Sequence, residues 1–286
     1  MFAVAADVKN VLGECPLWCE RTRRLYWTDI ESSELLALEE DTGIVMRWSL
    51  PERLGSFALT EKANVLLMAL ASRLAFCDLD TGEFTPVADS PGEPGTRTGD
   101  GRCDRAGNFV FGTMDDGYPA KVIGKFHRLN AVTLTVETLS LPEVAIPNSI
   151  CFSPDGGTMY YCDSMQGRIF CCDYPSLKNP RVFTETEGKG APDGSCVDAE
   201  GYLWNAEWGG SRLVRYRPDG TRDCILPSPS VQSTCPVIAG EAFTTLYCSS
   251  ASVGLNAPSK HDGALLRAKS AVFSGLPESR FAATAI

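Results

Sequence analysis

Three oxygen-bearing side chains stand beside proline or glycine, each just ahead of an apolar, strand-like run. Glu14 lies in LGECPLW, Asn148 in IPNSI and Asp193 in APDGS. Two carboxylates, one amide oxygen and water suit Ca²⁺, Mg²⁺ or Mn²⁺ and also accept Zn²⁺ or Fe²⁺. The pattern indicates a site for one divalent metal ion, although the same dipeptides also occur in ordinary turns.

The chain offers little for other catalytic centres. Its two histidines, His127 and His261, are far apart, and no H-E-x-x-H or G-x-S-x-G motif occurs. A histidine-rich zinc site is therefore excluded, and a Ser-His-Asp triad would need one of these two residues. The twelve cysteines contain no C-x-x-C pair and mostly fall inside apolar runs. We expect reduced, buried and non-catalytic thiols.

Charge and composition narrow the class of protein. The 286 residues carry 36 acidic and 26 basic side chains, a net charge of −10, which argues against the basic face of a nucleic-acid-binding protein. No apolar run approaches the roughly 18 residues of a membrane span, and the N-terminus lacks a signal-peptide pattern. We expect a cytoplasmic enzyme or binding protein, a monomer or weak oligomer, with no nucleic-acid or membrane partner.

Short β-rich triplets recur at intervals of 40 to 50 residues, and each is followed by a polar turn and a second strand-like run. The six triplets begin at Leu25, Val65, Phe109, Met159, Tyr202 and Thr245. This repeat predicts an all-β, six-bladed β-propeller in which residues 1–286 form a single domain with few helices. A β-sandwich, the alternative, would not repeat matched strand pairs at that period.

A propeller would bring distant residues together. The innermost strand of each blade lines a central channel, so residues at corresponding places in different blades converge on the axis. Glu14, Asn148 and Asp193 precede the first, fourth and fifth triplets and are expected to meet there. Asp163, after the fourth triplet, either orients this site or simply ends its strand. We expect ring closure by pairing of residues 2–8 with residues 272–283.

A further segment, TRTGDGRCDRAGNFVFGTM, precedes the third triplet and completes a series of motifs. GE-x-PLW, LYWTDI, DGR with FGTM, PNS with YCDS, and PDG with DAEGYLW follow one another between about residues 12 and 255. In this order they resemble the senescence-marker-protein/gluconolactonase/luciferin-regenerating (LRE-like) family. The resemblance implies a six-bladed propeller with one divalent metal held by Glu14, Asn148 and Asp193. It also implies hydrolysis of sugar lactones, with Asp193 doubling as acid and base.

The resemblance also implies substrate contacts. The family's Arg-x-Asn-Asp segment corresponds to Arg97-Thr98-Gly99-Asp100, so the arginine and the aspartate match while Gly99 replaces the asparagine. We expect Arg97 and Asp100 to orient sugar hydroxyl groups, and Gly99 to open space that alters which sugar fits. An acidic substrate contact follows Gly-Thr-Met, at Asp116 or its neighbour Asp115.

The expected reaction is metal-dependent hydrolysis of a sugar lactone of the gluconolactone type to the sugar acid, a step of carbohydrate metabolism. The metal would polarise the carbonyl group, and Asp193 would take a proton from water and return it to the ring oxygen. Two alternatives stay open. The same site suits another ester or a phosphotriester, and the propeller suits a non-catalytic metal-binding protein.

Overall fold

The computed structural model describes residues 1–270 and 272–283. Their strands form six separate four-stranded antiparallel sheets, which are the blades of a six-bladed β-propeller. Within these residues the one helical element is a 3-10 turn, Ser164–Gln166. The predicted fold class and the scarcity of helices are confirmed.

Each blade runs from an innermost strand at the channel to an outermost strand at the rim. Blade 1 contains β2 (Gly13–Cys19), β3 (Arg24–Asp29), β4 (Glu34–Glu39) and β5 (Val45–Ser49), and blade 2 contains β6 (Leu54–Leu59), β7 (Val65–Leu70), β8 (Arg73–Asp78) and β9 (Phe84–Asp89). Blade 3 contains β10 (Thr96–Cys103), β11 (Phe109–Asp115), β12 (Phe126–Leu129) and β13 (Val136–Thr138), and blade 4 contains β14 (Pro147–Phe152), β15 (Thr158–Asp163), β16 (Arg168–Asp173) and β17 (Lys178–Glu185). Blade 5 contains β18 (Ala191–Val197), β19 (Leu203–Trp208), β20 (Arg212–Tyr216) and β21 (Arg222–Pro227), and blade 6 contains β22 (Ser233–Ala239), β23 (Thr245–Ser250), β24 (Leu265–Lys269) and β1 (Ala3–Ala6).

The apolar core lies between neighbouring blades. Side chains alternate between the two faces of a strand, so along β2 Leu17 packs toward blade 2 and Trp18 packs toward blade 6. Both faces of a blade are therefore covered, which explains why its inner strands read as nearly continuous apolar runs. The innermost strands contact one another around the axis and carry the residues that face the channel.

Ring closure involves the predicted N-terminal strand but a different partner. β1 pairs antiparallel with β24, Leu265–Lys269, so the expected pairing with residues 272–283 is wrong. Gly275 and Pro277 interrupt that segment and are poorly suited to a strand ladder. Instead, Phe273 packs on Trp204 with ring centroids 5.4 Å apart, and Phe281 fills the core between blades 2 and 3.

All twelve cysteines are free, and eleven of them are buried; Cys224 is exposed. Burial raises the pKa of Cys15 to about 12, so this thiol stays protonated and unreactive near neutral pH. The prediction of free, buried thiols is confirmed for eleven residues. Within the described ranges, no helix is long and apolar enough to cross a membrane.

The solvent exposure of each cysteine predicts whether its thiol reacts with a reagent in solution. We expect Ellman's reagent to label about one thiol per native chain, because only exposed thiols are readily attacked. All twelve should react once the chain is unfolded in denaturant. Cys224→Ser is the control and should abolish the native reaction. Fast labelling of several thiols in that variant would contradict the burial of the other cysteines.

Candidate active site

Each innermost strand shifts its pairing register near the same end of the channel. The shifts fall between Glu14 and Leu17, Leu54 and Ser56, Thr98 and Gly101, Asn148 and Cys151, Pro192 and Ser195, and Ser233 and Pro236. A β-bulge leaves residues outside the ladder and re-aims their side chains. Glu14 and Asn148 are the last paired residues before their shifts, whereas Asp100 and Asp193 lie within theirs.

The sequence around these bulges suits that geometry. Cys15 and Ser149, directly after Glu14 and Asn148, have φ values of 50° and 59°, in a left-handed region that few non-glycine residues adopt. Gly194, after Asp193, approaches blade 6 so closely that a Cβ atom there would lie 2.5 Å from the Cβ of Cys235. Glu14, Asn148 and Asp193 therefore lie in β-strands at register shifts, and not in the ordinary turns that the same dipeptides also form.

A cavity of about 290 Å³ opens at this end of the channel. It is lined by all the predicted site residues except Asp116, namely Glu14, Arg97, Gly99, Asp100, Asn148 and Asp193. Apolar side chains that include Ile30, Met114, Pro147, Met165 and Trp208 form much of the remaining wall. A small, largely apolar cavity with a few convergent polar groups is typical of a small-molecule site.

Three carboxyl groups share this cavity: that of Asp193 is buried, and those of Glu14 and Asp100 are half-buried. Burial first, and then repulsion from Asp193 and Asp100, raises the pKa of Glu14 well above its usual value. Burial and repulsion from Asp100 likewise raise the pKa of Asp193, whose carboxyl group is close enough to that of Glu14 for a hydrogen bond. Burial also raises the pKa of Asp100, which accepts a hydrogen bond from the amide of Ile150 at 2.8 Å.

The arginine side chains beside these carboxyl groups form ion pairs with other carboxylates. Arg97 and Arg102 flank Asp100 along β10, but they form ion pairs with Asp116 (3.4 Å) and Glu278 (2.6 Å). Concentrated negative charge without a bonded counter-ion fits a hard divalent cation, which prefers oxygen ligands. In the part of the chain that the structure describes, no three His, Cys, Asp or Glu side chains form a metal-binding group by themselves. The predicted ligand set contains only two such residues, Glu14 and Asp193, beside an amide.

Asn148 is oriented by a neighbouring turn. Its Nδ2 donates to the Oγ of Ser164 at 3.0 Å, which leaves the amide oxygen available as a ligand. Asp163 accepts hydrogen bonds from the amides of Ala145, Ile146 and Met165 at 3.0–3.2 Å. It therefore ends β15 and also fixes both segments beside Asn148. Ser164 was missed from the sequence, although it directly follows Asp163.

Arg97 is almost completely buried and joins the cavity to a charged network outside it. Its Nη1 donates to the carbonyl of Thr98 at 3.0 Å, and its Nε lies 3.4 Å from Asp116. Asp116 also binds Arg53 at 2.5 Å, and it is not among the residues that line the cavity. Asp115 instead accepts from the amides of the following loop. Arg53 was missed, although it directly precedes β6 at a blade start.

Gly99 leaves real space in the cavity wall. A Cβ atom at this position would lie 3.5 Å from Pro147 and 3.8 Å from Met114, which are ordinary van der Waals distances. Its φ is not in the left-handed region, so the backbone does not require glycine here. The absent side chain therefore enlarges the cavity without being needed for the fold.

Comparison with known proteins agrees with this geometry. The model of the SMP-30/Gluconolactonase/LRE-like region matches residues 12–252. The chain belongs to this family. The family predicted from the motifs is confirmed, and the matched range contains every candidate site residue.

Among family relatives, the chain is 47% identical to an L-arabinolactonase of Azospirillum brasilense over 98% of this chain and 95% of that protein. It is 31% identical to a 6-deoxy-6-sulfogluconolactonase of Pseudomonas putida over 84% of each chain. The solved structure of the calcium-binding protein regucalcin of Agrobacterium tumefaciens superimposes with a TM-score of 0.91 at 29% identity, covering 98% of this chain and 97% of that one.

Proposed function

We propose that this protein hydrolyses a sugar lactone to its sugar acid, and that a five-carbon aldonolactone such as L-arabinolactone is the preferred substrate. The convergence of Glu14, Asn148, Asp193, Asp100 and Arg97 on one cavity is the observation that carries the proposal. The 47% identical relative is an L-arabinolactonase, and a 31% identical relative from Haloferax volcanii is a pentonolactonase. These relatives support the lactonase class, a hydrolase of cyclic carboxylic esters.

Glu14, Asn148 and Asp193 would hold a divalent metal ion. When bound, such an ion supplies Lewis-acid polarisation of a carbonyl oxygen and acidifies bound water. The all-oxygen ligand set favours Ca²⁺, Mg²⁺ or Mn²⁺ over metals that prefer nitrogen and sulfur. The placement of three carboxylates in one cavity without a bonded protein cation supports a bound cation, because charges removed from water are costly unless they are paired.

Asp193 is the proposed acid and base. It accepts a proton from the water whose oxygen attacks the lactone carbonyl carbon, and it returns that proton to the ring oxygen as the ring C–O bond breaks. The product is a hydroxy acid whose carboxyl group is ionised at neutral pH, so turnover releases a proton to the solution. A cation held by Asp193 would lower the pKa of this carboxyl group, but it would also acidify the attacking water, so the two effects on the proton transfer would partly cancel.

Arg97 and Asp100 are the proposed contacts to the sugar hydroxyls. Arg97 can only donate and an ionised Asp100 can only accept, so together they distinguish the two hydrogen-bonding directions of a hydroxyl. Asp116 would hold Arg97 in place from outside the cavity. Its proposed role is therefore to orient Arg97, in place of the direct substrate contact that the resemblance implies.

A lactone panel tests this proposal. Metal-free protein is prepared with a chelator, and proton release from five- and six-carbon aldonolactones is followed before and after each metal is restored. We expect turnover that depends on metal and is fastest for a pentonolactone. Hydrolysis of an aryl ester or a phosphotriester in preference would favour those substrates, and metal affinity without any metal-dependent rate would identify a binding protein.

Gly99→Asn tests which sugar fits. We expect it to change the ratio of kcat/KM between pentono- and hexonolactones by about 10-fold or more, because polar contacts in a pocket discriminate strongly. Gly99→Ala is the matched control, since it adds volume without the amide. An unchanged order of preference in both variants would mean that Gly99 does not face the substrate.

A further inference from the structure

Three fully buried hydroxyl groups reach from one blade to the main chain of the next at the cavity end of the channel. Each donates a hydrogen bond to a carbonyl oxygen: Thr234 to Gly13 at 2.5 Å, Ser56 to Gly99 at 2.7 Å, and Ser149 to Asp193 at 2.6 Å. They connect blade 6 to blade 1, blade 2 to blade 3, and blade 4 to blade 5.

Each accepting carbonyl belongs to one of the three acidic residues of the cavity or to the residue directly before it. Gly13 directly precedes Glu14, Gly99 directly precedes Asp100, and the third carbonyl belongs to Asp193 itself. The main chain at each of the three cavity carboxylates, Glu14, Asp100 and Asp193, is thus hydrogen-bonded to a hydroxyl group of the preceding blade.

The need for such bonds follows from the architecture. Each innermost strand is the edge of its sheet, so main-chain groups on its channel side have no strand partner. The bulges remove further ladder bonds at the acids. Buried carbonyl groups must nevertheless find donors, and the hydroxyls supply them at the points where the acids enter the cavity.

The main-chain carbonyl of Asp193 accepts a second hydrogen bond, from the side chain of Asn205. The Nδ2 of Asn205 lies 3.0 Å from the Asp193 carbonyl oxygen and 3.0 Å from the Oγ of Ser195. Ser195 in turn lies 3.0 Å from Ser149. The residue with the most demanding proposed role is therefore the most firmly held.

We propose that Thr234, Ser56 and Ser149 are positioning residues that set the mutual placement of Glu14, Asp100 and Asp193. The proposal rests on the proposed function, because it gives these carboxylates a task that depends on their placement. Outer partners that orient metal ligands commonly change metal affinity or activity 10- to 100-fold when removed. The alternative is that the hydroxyls only stabilise the sheet, as Thr98 also donates across blades to the carbonyl of Leu70 at 3.0 Å.

The test compares matched losses of one buried hydroxyl. Thr234→Val and Ser149→Ala remove a positioning bond, whereas Thr60→Val removes an equally buried bond, to Val65 at 2.7 Å, at the opposite end of β6. The dissociation constants of Ca²⁺ and Mn²⁺ are measured by titration calorimetry. The Tm in chelator and the kcat and KM for a pentonolactone are measured beside them.

We expect all three variants to lower the Tm, but only Thr234→Val and Ser149→Ala to weaken metal binding or lower kcat by about 10-fold or more. Thr234→Ser keeps the hydroxyl and should restore both properties, which also controls for misfolding of Thr234→Val. Equal dissociation constants and equal kcat in Thr234→Val, Ser149→Ala and Thr60→Val would overturn the proposal. If the wild-type protein binds neither ion, the metal part of the proposed function fails, and kcat still decides the role of the hydroxyls.

Discussion

Asp193→Asn is expected to lower kcat by about 10²–10⁴-fold, the usual range for loss of a general acid–base group. The amide keeps an oxygen that can ligate a cation, but it cannot accept the proton of the attacking water. Much of the metal affinity should therefore remain. Parallel measurement of kcat and of metal content in the purified variant separates the two roles.

Loss of structure can be distinguished from loss of the proton acceptor. Asp193→Asn removes a carboxyl group whose ionised form is disfavoured by burial and by repulsion from Asp100, so we expect the Tm of the metal-free protein to rise. Asp219→Asn makes the same change in an exposed turn that follows blade 5's β20, where Asp219 binds Thr221, and should leave kcat unchanged. Turnover near that of the wild type in Asp193→Asn would dismiss the acid–base role while leaving the metal ligands standing.

The recurrence of strand pairs every 40 to 50 residues accounts for most of the fold that could be predicted from the sequence. Strand pairs recur because each blade is the same local unit, and local units leave local patterns. Glu14, Asn148 and Asp193 were found because they hold corresponding places before their triplets, next to residues that a bulge requires. The structure brings these three residues to one cavity without any contact that a short window of sequence would show.

The contacts that the sequence did not reveal join residues that are far apart in the chain or are brought together by a loop. Thr234 and Gly13 are 221 residues apart in the chain, and nothing local marks a threonine that reaches another blade. The ion pair of Arg97 with Asp116 likewise depends on how a loop of blade 3 folds back. The partner of β1 was misjudged because the residues after 270 are weakly patterned, so the local sequence did not show that they form no strand beside β1.

The site illustrates a conflict between stability and function. The carboxylates that share the cavity oppose folding of the metal-free chain, because burial and repulsion both disfavour the charged forms of Glu14 and Asp193. The same arrangement would favour the binding of a divalent cation, which would relieve the repulsion. Metal should therefore stabilise this protein increasingly as its concentration rises above the dissociation constant.

Glu14→Gln is expected to weaken divalent-metal binding by about 100-fold. Loss of a ligand's charge should cost at least as much as loss of a residue that orients a ligand, for which about 10- to 100-fold is usual. The substitution removes one of the two ligand charges and leaves a neutral amide of nearly the same shape. Calorimetric titration of the metal-free variant measures the effect. Glu39→Gln, in β4 of the same blade, removes a charge that binds Arg24 at the surface and should bind metal like the wild type.

The response to excess metal separates the two carboxylates. If Glu14 serves mainly to hold the cation, turnover of Glu14→Gln should recover toward the wild-type kcat as the metal concentration is raised above its new dissociation constant. Asp193→Asn should not recover, because its defect is the missing proton acceptor. Full metal affinity in both Glu14→Gln and Asn148→Ala would show the ligand assignment to be wrong. A failure of excess metal to restore Glu14→Gln would instead place Glu14, beside Asp193, in the proton transfer itself.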